Sequence, residues 1–148
     1  MTTKGRYALR ATLALAQMGK EGEMVSINSL SEAEDLSSVF LEQIFFKLRK
    51  AGIVKSLRGP GGGFSFSRPL DSIFVWEILD AAGEELTVLP CDRRMSKCIK
   101  GNDCIAHNVI VAATNKVNDY LKSLSLKTVL ESGEFNAALR KNKGSKHK

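Results

Sequence analysis

Ser37-Ser38-Val39-Phe40-Leu41-Glu42-Gln43-Ile44-Phe45-Phe46-Lys47-Leu48-Arg49-Lys50-Ala51-Gly52 is the stretch that decides the fold. Leu41, Ile44, Phe45 and Leu48 fall at i, i+3, i+4 and i+7, which is one apolar stripe of a helix. Ser37 suits its N-cap and Gly52 its C′ position. Upstream, Ile27, Leu30 and Ala33 mark a short helix with Ser26 or Asn28 as its cap. Downstream, Ile53-Val54-Lys55-Ser56-Leu57 and Phe64-Ser65-Phe66-Ser67 alternate around Arg58-Gly59-Pro60-Gly61-Gly62-Gly63, a β-hairpin pattern. Helix, helix, hairpin is the order of a winged helix-turn-helix. The expected fold is mainly α with a small β-hairpin wing.

Working outward, Tyr7, Ala8, Ala11, Leu15 and Met18 recur at helical spacing and predict a first helix over 4–19, ended by Gly19 and Gly22. A fourth helix is expected over 73–82, through Ile73, Trp76 and Leu79. Periodicity then lapses over 83–104, which reads as a loop holding every cysteine. It returns at Ile105, Val109, Ala112 or Ala113, Val117, Tyr120, Leu121 and Leu124, about five turns of apolar seam. That is more apolar face than the remaining chain needs, so the seam predicts a homodimer. Ser125 can cap a last short helix, 126–132, before Gly133. The expected division is a winged helix-turn-helix domain at 1–82, a cysteine loop at 83–104, a dimerisation helix with a short terminal helix at 105–133, and a basic disordered tail at 134–148.

The chain has 148 residues, 43% hydrophobic and 26% charged, as suits one soluble domain with an appended element. No apolar run approaches a membrane span, and Met1 to Arg6 lack a signal peptide's apolar region; a cytoplasmic protein with no membrane partner is expected. Most of the net charge of +6 sits in Arg140, Lys141, Lys143, Lys146 and Lys148, so bulk charge says little about the folded body. Where basic residues cluster matters more.

In a helix-turn-helix the N-terminal residues of the second helix reach base edges in the major groove. Here these are Ser37, Ser38, Val39, Phe40, Glu42 and Gln43. Gln43 can pair with adenine, Glu42 can accept from cytosine, and Val39 or Phe40 can touch thymine methyls. Lys47, Lys50 and Lys55 lie where phosphates pass. The turn Gly59-Pro60-Gly61 lets backbone approach a duplex closely, and Arg58 is placed to enter a minor groove. A nucleotide-binding loop is excluded, because the Lys-Ser/Thr of a P-loop is missing and a strand follows instead of a helix.

Lys4-Gly5-Arg6-Tyr7-Ala8, Phe40-Leu41-Glu42-Gln43-Ile44, Leu48-Arg49-Lys50-Ala51-Gly52 and Arg58-Gly59-Pro60-Gly61-Gly62-Gly63-Phe64 together resemble the iron–sulfur cluster regulator (IscR) type of winged-helix repressor. The resemblance runs over roughly residues 1–132. It implies that Phe40, Glu42 and Gln43 read the major groove of a pseudo-palindromic double-stranded DNA site, and that Arg58 enters the minor groove. Val39 stands where the best-matching members carry serine, which implies a different base preference.

Cys91, Cys98 and Cys104 are separated by six and then five residues, and His107 follows Cys104 by three. Clustered thiolates with an imidazole suit zinc, copper(I) or iron–sulfur clusters. The spacing disfavours a zinc knuckle and selects no cluster type. The family resemblance implies a 2Fe–2S cluster on Cys91, Cys98, Cys104 and His107. The first interval is one residue longer than usual, and Gly5-Arg6-Tyr7-Ala8 lacks the acid that some 4Fe–4S relatives carry. Arg93, Arg94, Lys97 and Lys100 are available to offset the cluster's negative charge. The expected function is a homodimeric, non-enzymatic transcription regulator whose DNA affinity responds to the cluster. The alternative is DNA binding governed by loop thiols without a cluster. A small redox enzyme is disfavoured by the absence of a Cys-x-x-Cys pair and of any Ser/His/acid set.

Overall fold

A computed structural model, described for residues 2–86 and 104–136, contains six α-helices and one two-stranded sheet among those residues. The first helix, α1 (Thr3–Met18), turns Ala8, Ala11, Ala14 and Leu15 inward. Its small side chains let the neighbouring helices approach closely. Met18, expected on the same stripe, is exposed instead, because the helix ends there and Gly19 caps it. In α2 (Ile27–Glu34) the Ser26 hydroxyl accepts from the Ser29 amide, and Leu30 is the buried anchor. Asp35 then adopts a left-handed conformation at φ 53°, which reverses the chain into the next helix.

The third helix, α3 (Ser38–Lys50), begins at Ser37, whose hydroxyl accepts from the Phe40 amide at 3.1 Å. Leu41, Ile44, Phe45 and Leu48 are all buried, so the stripe read from the sequence is the inner face. The wing follows as β1 (Val54–Leu57) and β2 (Gly63–Phe66), antiparallel with Val54 opposite Phe66 and Leu57 opposite Gly63. Phe64 packs its ring 4.9 Å from that of Phe45, tying the wing to α3. Val25 adds a one-residue bridge to Phe64, donating and accepting at 2.9 and 2.8 Å. Gly63 makes this possible: its φ is +145°, and a Cβ there would overlap the Val25 carbonyl.

The expected 73–82 helix is α4 (Val75–Ala81), preceded by a short turn and by the fully buried, extended Ile73. The Glu77 carboxylate accepts from the Phe74 amide and also pairs with Arg68. After the undescribed interval, α5 (Ile105–Ser123) runs for 19 residues and packs against α4. Residues 124–126 bridge back to the start of α4, with Val75 N donating to Leu124 O and Leu126 N to Ile73 O. α6 (Leu126–Glu131) is capped by Ser125 and sinks Leu126 completely into the core. The expected disordered tail does not begin at 134: a further helical turn spans 133–136 and half-buries the apolar Phe135. Cys91, Cys98 and residues 137–148 lie outside the described residues.

Candidate nucleic-acid interface and cysteine site

The exposed face of α3 lies directly opposite its buried stripe. Val39, Glu42, Gln43, Phe46, Lys47 and Lys50 are all on it, and Ser37 is exposed at its start. Ser38 is half-buried. Phe40 is also half-buried, with its ring edge-on to Tyr7 at 5.8 Å, so much of its surface braces α1 against α3. Arg58, Gly59 and Pro60 are exposed at the wing tip. The cleft between α3 and the wing, about 380 Å³, is lined by Glu42, Phe46, Arg49, Leu57 and Arg58 among others.

Two residues outside the sequence-based set join this surface. Lys4, at the start of α1, lines a shallow depression with Phe40, Gln43 and Lys47. Arg49 donates to Ser56 Oγ at 3.1 Å, linking α3 to the wing. With Lys47, Lys50, Lys55 and Arg58 they make this face cationic, as phosphate contact requires. Arg10, by contrast, is held by Glu34 at 2.9 Å and belongs to the packing of α1 on α2.

The cysteine loop is fixed at both described ends. At its start, Glu84 is only 7% exposed. Its carboxylate accepts from the Thr2 amide, the Thr2 hydroxyl and the Gly5 amide. These are unpaired donors of the first turn of α1, so Glu84 caps that helix from a distance in sequence. Burial alone pushes its carboxyl pKa up, but the hydrogen bonds from Thr2 and Gly5 prevail and hold it below the usual value. Gly5 leaves the room, since a Cβ there would run into the Glu84 side chain.

At the loop's far end, Cys104 is the N-cap of α5 and is half-buried. His107 sits one turn later with Nδ1 buried and, among the described residues, without a hydrogen-bond partner. An imidazole nitrogen in that position is either a lone pair suited to a metal or an unpaired N–H that costs stability. No acid lies in the first turn of α5, so its positive end faces the loop. Among the described residues no three His, Cys, Asp or Glu side chains converge. Cys104 and His107 are thus two donors of the required kind on one helix turn, and they fit the described half of a Cys₃His site.

A helix-turn-helix with a cationic reading face and a glycine-tipped wing defines a winged-helix DNA-binding protein. The Rrf2 family, described as "Iron-dependent Transcriptional regulator", matches residues 1–132, and the chain belongs to that family. A putative HTH-type transcriptional regulator of Neisseria meningitidis serogroup A is 39% identical over 131 residues, covering 88% of this chain and 87% of its own. Among solved structures, T. potens IscR superposes with a TM-score of 0.70 at 31% identity over 88% of this chain and 85% of that one. CymR, the global cysteine regulator of B. subtilis, gives a TM-score of 0.73 at 27% identity, over 87% and 94%. The protein is therefore a DNA-binding transcriptional regulator of the IscR/Rrf2 type. No helix among the described residues is long and apolar enough to cross a membrane.

Proposed function

We propose that the protein is a cytoplasmic homodimer whose affinity for a pseudo-palindromic DNA site responds to an iron–sulfur cluster, of the 2Fe–2S type, held by Cys91, Cys98, Cys104 and His107. The observation that carries the cluster is the buried, unpartnered Nδ1 of His107 beside Cys104. When bound, the cluster would supply a change in charge and redox state that the loop can sense. The homodimer rests on α5, none of whose residues is buried within the chain. Ile105 is 81% exposed, and Val109, Val117 and Tyr120 share its outward side. A second copy's α5 would cover this seam.

Glu84 gives the loop a route to DNA. It caps the turn of α1 that carries Lys4, and Lys4 lies beside Gln43 and Lys47 on the reading face. A loop drawn tight around its ligands would pull on that clip and on the N-terminal end of α5. Base reading falls to Ser37, Ser38, Val39, Phe40, Glu42 and Gln43 in this proposal, which the exposed face of α3 supports. Lys47 would meet phosphate, and Arg58, Gly59 and Pro60 the minor groove.

Anaerobic purification and reconstitution test the cofactor. Visible absorption with iron and sulfide in equal amounts is expected, and Cys104→Ala or His107→Ala should change or abolish it. A colourless protein after full reconstitution overturns the cluster. The likeness to CymR favours one second reading, control by the loop thiols themselves. Oxidant-dependent DNA binding by the iron-free protein, lost in Cys98→Ser, would establish it.

A further inference from the structure

We propose that Phe46, with Leu57 beside it, is a thymine-sensing contact of the DNA-reading surface. The inference rests on DNA binding through α3 and adds a residue that the base-reading set lacks. Phe45 and Phe46 are adjacent, but helical phase separates them. Phe45 is fully buried, whereas Phe46 is 51% exposed near the centre of the outward face. It follows Val39 by two turns, about 10.5 Å along the helix axis, or roughly three base steps along a strand.

Its surroundings favour a base edge as the partner. Leu57 on the wing is 56% exposed and lines the same cleft, so the two side chains form one apolar strip between helix and wing. Arg49 and Lys50 lie 5.5 and 5.6 Å from the Phe46 ring centroid, so two cations flank the ring. Their charges, with that of Arg58, complement flanking phosphates. Glu42, one turn before Phe46 in the same cleft, repels phosphate and so turns this strip toward the bases. Among base edges in the major groove, only thymine offers a methyl group. Phe40, the other aromatic of the helix, already spends much of its ring on Tyr7.

The test uses the duplex that the full-length protein selects from a random-sequence pool. Each thymine is replaced in turn by uracil, which removes only the 5-methyl group, and affinity is read by fluorescence anisotropy. For the wild type, one or two positions should each lose about four-fold in affinity, the value of one buried methyl. Phe46→Ala should abolish that penalty at the same positions. Phe46→Leu, which keeps an apolar group, should retain part of it. Uracil substitution without effect on the wild type, or a penalty unchanged in Phe46→Ala, overturns the proposal while DNA binding stands. Failure of the wild type to select any duplex overturns both.

Discussion

Arg58 and Glu84 mark two opposite uses of charge. Arg58 is exposed at the wing tip, immediately before Gly59. Arg58→Ala should weaken DNA binding by about 1–3 kcal/mol and relax preference for A·T-rich flanks, with the dimer intact. A binding titration on matched duplexes, beside sedimentation of the free protein, checks both parts. Glu84 spends its charge inside, on the first turn of α1. Its folded pKa lies below the ordinary carboxylate value, so its contribution is present above that value and fades as pH falls through the folded one. Glu84→Gln should cost about 1–3 kcal/mol at pH 7, because an amide NH₂ would replace the Oε2 that accepts from the Thr2 amide and the charge behind the Thr2 and Gly5 hydrogen bonds would be lost. The deficit should shrink as pH falls through the folded value and the wild-type carboxyl takes up its proton. Urea midpoints over a descending pH series give the answer.

At the scale of elements, α3 and the wing were legible because their signals are local. Ser37, the Leu41–Leu48 stripe and the glycine turn each act within a few residues, and the structure places them as read. Long-range contacts were not legible. The Glu84 clip joins residues 82 apart, and the Val25 bridge gives the wing a third backbone contact that no periodicity announces. Phe46 lay between these cases: an aromatic out of phase with the buried stripe is visible in the sequence, yet only the fold shows what stands beside it. Lys4 required the packing of α1 against α3. Two of the proposed ligands, Cys91 and Cys98, fall outside the described residues, so the cysteine site rests on its second half. α5 carries its own prediction. Val109→Asp, on the exposed seam, should yield monomers in sedimentation velocity and weaken DNA binding severely, since paired reading heads would be lost.

For the molecule as a whole, charge is divided between a reading face and a terminus. Arg140, Lys141, Lys143, Lys146 and Lys148 form a basic run with no acid among them, and their role would be sequence-independent attraction to phosphate. Removing residues 137–148 should lower affinity for random and selected duplexes alike. It should also flatten the dependence of affinity on salt by up to about five phosphate contacts, near 0.9 per contact in the log–log slope. A specific-to-random affinity ratio unchanged by the truncation is the expected signature. A fall confined to the selected site would place the tail in base recognition instead.

The hydrogen bonds that fasten residues 124–126 to the start of α4 anchor the C-terminal end of α5. The helix has 19 residues and so is a rod of about 28 Å, with Cys104 as its N-cap. Tilting such a rod about its anchored end by about four degrees would sweep Cys104 through roughly 2 Å. The anchored end would move far less. Mechanical leverage of this kind lets a small movement at the loop re-aim everything mounted on the rod.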